Sequence, residues 1–101
     1  MIIYDPKIAI LLIAFNRSNI KQVFDRIKEV KPRRLYIAVD GSTNDTQCKI
    51  CKETTSIVSH IDWECQVFKL YQEKNQGYDK HCFDSISWFF EQEPEGVILE
   101  D

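Results

Sequence analysis

Residues Ile8 to Phe15 read IAILLIAF, the longest unbroken apolar run in the chain. This run is far shorter than the roughly 20 apolar residues that a helix needs to span a bilayer. Its length suits a β-strand, and apolar residues at every position indicate a strand that is covered on both faces. The run therefore predicts a buried central strand of a parallel sheet.

Helical patterns alternate with further apolar runs on the C-terminal side of this strand. In the first of them, Ile20, Val23, Phe24, Ile27 and Val30 form one stripe at helical spacing. The predicted order is strand 8–15, helix 20–30, strand 35–40, helix 45–60, strand 65–71, helix 79–91 and strand 96–101. Such alternation favours a parallel sheet with right-handed crossovers and helices on both faces. We therefore predict an α/β fold, a three-layer Rossmann-like half domain whose four-stranded parallel sheet has the order 3-2-1-4, with strand 65–71 near an edge.

Length and composition indicate one ordinary globular domain, residues 1–101. With 13 Lys and Arg against 16 Asp and Glu, the net charge is -3, which argues against a nucleic-acid partner. No transmembrane segment and no signal peptide is recognisable, so we expect a cytoplasmic protein with reduced cysteines. Cys48 and Cys51 form a CxxC motif inside the predicted helix 45–60, and without a second such motif we interpret them as buried apolar residues.

Polar residues stand where the predicted strands end, and ligands of open parallel sheets bind outside the carboxyl ends of the strands. Arg17 follows the first strand and is suited to a phosphate or a base. Asp40 ends the second strand and can accept a hydrogen bond from a base or a ribose hydroxyl. Glu100 and Asp101 end the last strand and are suited to a divalent metal that bridges phosphates. Polar strand ends are also common without any ligand, and that alternative stays open.

The last predicted helix carries two further features. Lys80 and His81 lie in its first turns, where backbone N–H groups and the helix dipole favour an anion, although a solvated helix start explains them equally well. The aromatic run 88–90 is expected to pack this helix onto the sheet. The chain has no GxGxxG motif and no GxxxxGKS or GxxxxGKT motif, which disfavours a nicotinamide-dinucleotide or P-loop site.

Four segments together resemble a known family. They are ILLIAFNRS (10–18), LYIAVDGS (35–42), KNQGYDK (74–80) and GVILED (96–101), in the family's order and with similar spacing. The chain resembles the N-terminal, donor-binding part of nucleotide-sugar-dependent glycosyltransferases of the GT-A fold. It is similar to bacterial sugar transferases and to the N-acetylglucosaminyltransferase I family, and the resemblance covers nearly the whole chain.

The resemblance implies a donor pocket, a metal and an acceptor. The donor is a nucleotide diphosphosugar, with a UDP-sugar favoured, and the acceptor of the full enzyme is a glycan. In the family, Glu100 and Asp101 begin an acidic triplet that holds manganese or magnesium, and the main metal ligand would follow residue 101. The implied nucleotide-binding residues lie at the strand exits and at the start of the last helix: Phe15, Asn16, Arg17, Asp40, Gly41, Gly77, Lys80 and Asp101.

Because the acidic triplet is incomplete, we expect a donor-binding domain that is truncated at the metal motif. Such a fragment is expected to be inactive alone and need not bind the metal, and no catalytic residue is assigned. The last strand is then expected to have an open edge, through which residues 97–99 support self-association.

Two other functions remain as alternatives. A sugar nucleotidyltransferase on a related fold would need a glycine-rich basic loop after the first strand, which FNRS at 15–18 lacks. The other alternative is a non-enzymatic interaction or regulatory module. A receiver-like module would carry paired acids after the first strand, and none stand there.

Overall fold

The computed structural model describes residues 7–14, 20–40, 56, 60–72 and 74–100. Its strands and helices are β1 (Ala9–Ala14), α1 (Ile20–Val30), β2 (Arg34–Val39), β3 (Gln66–Tyr71), α2 (Tyr78–Gln92) and β4 (Gly96–Glu100). The ends of each lie within about one residue of the predicted range. The predicted helix 45–60 lies outside the described residues, except at residues 56 and 60.

The four described strands form one parallel sheet in the order β3-β2-β1-β4. This confirms the predicted α/β fold with the order 3-2-1-4, and β3 lies at an edge as expected. Ile10 lies beside Leu35 on one side and beside Val97 on the other, so β1 pairs with both neighbours along nearly its whole length. β1 is therefore an interior strand, and β4 forms the second edge of the sheet.

Alternate residues of β1 belong to two apolar clusters on opposite faces of the sheet. Leu12 packs in the cluster that contains Phe24 and Ile27 of α1. Leu11 packs in the other cluster, which contains Phe89 of α2. Every residue of β1 is at most 2% exposed, and burial of a large aliphatic side chain contributes about 1.5–3 kcal/mol. The apolar run is covered on both faces because a helix lies on each side.

Two apolar residues that the helical patterns assigned to packing are exposed. Val30, which is 36% exposed, is the last residue of α1 and lies at the flank of its stripe. Phe90 is 45% exposed because consecutive helical residues point about 100° apart, so that residues 88–90 cannot all face the sheet. Of these three, Phe89 is fully buried and Trp88 is half-buried. No helix in the described part of the chain is long and apolar enough to cross a membrane.

A partly buried ion pair lies at the amino end of the sheet. Arg34 donates to the Glu93 carboxylate twice, from Nε at 2.8 Å and from Nη2 at 3.0 Å. Tyr36 Oη donates to the same carboxylate at 2.8 Å. The ring of Tyr36 packs edge-on against Trp88 and Phe89, with centroids 5.2 and 4.9 Å apart. These contacts fasten the C-terminal end of α2 to β2.

Candidate functional site

The carboxyl ends of the described strands lie together at one end of the sheet, here called the carboxyl edge, because all of the strands are parallel. Asp40 follows β2, residues 74–77 precede α2, and Glu100 ends β4. Of the predicted site residues, Asp40, Gly77, Lys80 and Glu100 belong to this edge, whereas Phe15, Asn16, Arg17, Gly41 and Asp101 lie outside the described residues. Cys48 and Cys51, which were interpreted as buried apolar residues, also lie outside them.

Asp40 is a buried carboxylate at the exit of β2. Its side chain is only 5% exposed. The backbone N of Gln76 donates a hydrogen bond to Asp40 Oδ1 at 2.8 Å. A charge-assisted bond of this kind is about twice as strong as a neutral one, which compensates part of the cost of burying the carboxylate. Asp40 thus joins the end of β2 to the segment that precedes α2.

Residues 74–77, here called the 74–77 loop, form a compact turn before α2. Asn75 Oδ1 accepts a hydrogen bond from the backbone N of Gly77 at 3.1 Å. Gln76 Nε2 donates to the backbone O of Lys74 at 2.9 Å. Gly77 has a φ of 81°, which side-chain-bearing residues rarely adopt, although a Cβ there would have open space. Backbone conformation, rather than a close neighbour, is therefore what favours glycine at this position.

His81 is buried inside the fold and is not exposed at the carboxyl edge. Its side chain is fully buried in the second turn of α2, and its backbone N donates to Gly77 O at 3.0 Å. Burial lowers the pKa of the His81 imidazole, and the charge of Asp40 and hydrogen bonds with the backbone at Ala38 and Ala14 oppose this only in part. The ring is accordingly neutral at pH 7, and it contacts the ends of β1 and β2 from the side of the sheet on which α2 packs.

Lys80 lies in the first turn of α2, one residue before His81. It is exposed, and its Nζ lies 2.7 Å from Asp84 Oδ2, one helical turn further along. Exposed pairs at this spacing contribute only about 0.3–0.5 kcal/mol, so little holds the ammonium group in this one position. A ligand at the edge of the sheet can compete for it.

Glu100 has two neighbours on α2 that the sequence analysis did not assign to the site. Tyr78 Oη lies 3.4 Å from Glu100 Oε2, and Cys82 Sγ lies 3.6 Å from Oε1. Burial, followed by the charge of Glu100, raises the pKa of the Cys82 thiol, which therefore stays protonated at neutral pH and is a poor nucleophile. Tyr78 and Cys82 stand four residues apart on a helix that begins beside β4, and that spacing is the sequence signal that could have found them.

The metal expectation concerns Glu100 and Asp101. Among the residues that the structure describes, no group of three or more His, Cys, Asp or Glu side chains is arranged to hold a metal ion. Glu100 is exposed, and its carboxylate oxygens are ligands that magnesium and manganese prefer. Glu100 therefore fits the role of one metal ligand, and its expected neighbour Asp101 lies outside the described residues.

No family model, no curated protein and no solved structure matches this chain significantly.

Proposed function

We propose that the carboxyl edge of this sheet binds a nucleotide diphosphosugar, with a UDP-sugar favoured. In this proposal the chain is the donor-binding part of a glycosyltransferase of the GT-A type, which transfers the sugar to a glycan acceptor. One observation carries the proposal, namely the buried Asp40 carboxylate at the exit of β2. A carboxylate that is 5% exposed at the ligand-binding edge of a parallel sheet is suited to recognise the N–H or hydroxyl groups of a nucleoside.

The strand order supports a site at the same end of the sheet, beside the exit of β2. In the sheet β3-β2-β1-β4 the chain leaves β1 toward β2 and later returns to the other side of β1 as β4. Ligands of open α/β sheets bind where the strand order reverses in this way, which here is the crevice above the ends of β1 and β4. Glu100 lies at that point of the edge.

In this proposal each residue at the carboxyl edge binds a different part of the ligand. Asp40 accepts hydrogen bonds from the nucleoside, and Lys80 offers positive charge near the start of α2 for the diphosphate. Glu100 contributes a carboxylate to a divalent metal, whose charge offsets the negative charge that develops on the departing diphosphate. The sequence resemblance adds the prediction that Arg17, outside the described residues, belongs to the same pocket.

Calorimetric titration of the purified chain with UDP, GDP and CDP, with and without Mn²⁺, tests this proposal. We expect saturable binding of UDP that becomes at least about tenfold weaker in Asp40→Ala, the factor that corresponds to about 1.4 kcal/mol. Asp62→Ala is the matched control. Asp62 is an exposed carboxylate that precedes β3, and it therefore lies toward the amino ends of the strands, opposite the carboxyl edge. Failure of all three nucleotides to bind the folded chain, or equal losses in both variants, would contradict the proposal.

A further inference from the structure

We infer that Asp40 is also a positioning residue, which holds the 74–77 loop in place and tightens it when a nucleotide binds. The part of this inference that concerns the nucleotide rests on the proposed function. The hold of Asp40 on the loop follows from hydrogen bonds within the chain itself.

The segment that follows β3 is fastened to the end of β2 at two points. The backbone N of Gln72 donates to Val39 O at 2.9 Å, which extends the pairing of β3 with β2 by one step. The backbone N of Gln76 then donates to Asp40 Oδ1 at 2.8 Å. Val39 and Asp40 are consecutive, so both fastenings lie at the same exit. The second depends on a side chain and can be removed by substitution without changing the sheet.

The loop in turn determines where α2 begins. Gly77, its last residue, accepts a hydrogen bond from the backbone N of His81 and so opens the first turn of the helix. Tyr78 follows directly and lies 3.4 Å from Glu100 at the other end of the edge. A displacement of the loop would therefore carry the start of α2 with it. Through this connection Asp40 acts on residues of the edge that it does not touch.

One carboxylate can serve the loop and a ligand together. Its two oxygens offer about four acceptor positions, and the Gln76 N–H needs one of them. A nucleoside N–H or hydroxyl that binds Asp40 is expected to add to the Gln76 hydrogen bond and not to displace it. A ligand that binds only the conformation in which Asp40 holds the loop also lowers the population of the open conformation, from which the Gln76 amide exchanges. Binding is expected to strengthen the hold on the loop, not to release it.

Amide hydrogen exchange measured by NMR tests the positioning role without a ligand. In Asp40→Ala we expect the Gln76 amide to exchange at least about tenfold faster than in the parent chain, which corresponds to about 1.4 kcal/mol. In Asp40→Asn the exchange should stay close to that of the parent, because the amide oxygen still accepts from Gln76. Asn75→Ala is the matched control, since it removes the acceptor of the Gly77 N–H and leaves Asp40 intact.

The exchange rate of the Gln76 amide, compared between the parent and Asp40→Ala without a nucleotide, either supports or contradicts the positioning role. Equal exchange of the Gln76 amide in the parent and in a folded Asp40→Ala would overturn it. Circular dichroism and thermal unfolding establish that each variant is folded. If Asp40→Ala does not fold, the same comparison is made with Asp40→Ser, which keeps a polar group in the buried position but is too short to reach Gln76.

A second arm adds UDP and separates this inference from the proposed function. Slower exchange of the Gln76 amide at saturating UDP supports the coupling between ligand and loop. Saturable UDP binding with unchanged exchange overturns the coupling and leaves the proposed function standing. Absence of UDP binding overturns the proposed function and the coupling together, whereas the positioning role still depends only on the unliganded comparison.

Discussion

Glu93 is a carboxylate that is only 7% exposed, and it accepts hydrogen bonds from Arg34 and Tyr36. Burial alone would raise the pKa of the Glu93 carboxyl, but the bonds from Arg34 and Tyr36 and the charge of Arg34 outweigh it, so that the pKa lies below its ordinary value. Burial and the neighbouring Glu93 raise the pKa of Tyr36 to about 12. The folded state thus favours an ionised Glu93 beside a neutral Tyr36.

Glu93 therefore makes the stability of the fold depend on pH. Because its pKa is lowered by folding, its contribution is present above the ordinary value of 4.5 and is lost as the pH falls through the folded value. We expect Glu93→Gln to lower the free energy of unfolding at pH 7 by about 1–3 kcal/mol, since part of the Arg34 side chain is exposed to solvent. Urea unfolding of both proteins from pH 7 down to pH 3 should show this difference shrinking below about pH 4.5.

The control for Glu93→Gln is Glu91→Gln, which changes an exposed carboxylate two residues away on α2. It should leave the pH dependence of unfolding close to that of the parent. A Glu93→Gln difference that stays constant between pH 7 and pH 3 would contradict the prediction. At alkaline pH the sign reverses for Tyr36, whose contribution is complete below pH 10 and is lost as the pH rises towards about 12.

At the scale of whole elements, Phe89 of α2 packs closely against Gly96 of β4. A Cβ on Gly96 would overlap the ring of Phe89, which is fully buried and held between the helix and the sheet. Gly96→Ala is therefore expected to destabilise the fold by about 1–3 kcal/mol, the usual cost of overpacking. Phe89→Leu makes room for the methyl group, so the two substitutions together should cost less than the sum of the single costs. Chemical denaturation of the four proteins of this double-mutant cycle measures the difference, and strict additivity would show that Gly96 and Phe89 do not compete for space.

The sequence predicted the described elements well because local patterns determine them. An unbroken apolar run of strand length specifies a strand with two covered faces, and β1 is such a strand. The stripe around Phe24 and Ile27 specifies a helix with one buried side, as observed for α1. Val30 and Phe90 were assigned to packing and are exposed, because apolar character alone does not state where the partner surface ends.

The candidate site was predictable only in part. Asp40 and Glu100 could be found because each directly follows or ends a strand, and parallel strands end at one edge. The bond between Asp40 and Gln76 could not, because it depends on how the turn at 74–77 folds back on β2. The burial of His81 depends in the same way on which side of α2 faces the sheet.

At the scale of the whole molecule, the two edges of the sheet differ. β4 carries no charge from Gly96 to Leu99, and its Val97 and Ile98 are 38% and 37% exposed. Phe83 and Phe90 of α2 are also exposed, at 71% and 45%. The opposite edge, β3, carries Lys69 in its middle, and edge lysines oppose the addition of another strand. Association between copies is therefore expected at β4.

Light scattering over a range of concentrations tests this expectation. The parent chain should form dimers or larger species as its concentration rises, and Ile98→Lys should shift that range upward because it places a charge on the edge strand β4. Phe68→Lys is the matched control, since Phe68 is 38% exposed on β3. A chain that remains monomeric at every concentration, or equal effects of both substitutions, would contradict association through β4.

The interior position of β1 has a consequence for folding during synthesis. β1 is the first described strand to leave the ribosome, yet one of its two neighbours is β4, with Ala9 beside Gly96. At the usual rate of synthesis the second neighbour arrives on the order of ten seconds later. Until then one side of an entirely apolar strand is open to other nascent chains, and pairings between distant segments are slow to form. We therefore expect the yield of folded protein to depend on how crowded the newly made chains are, and not only on the stability of the finished domain.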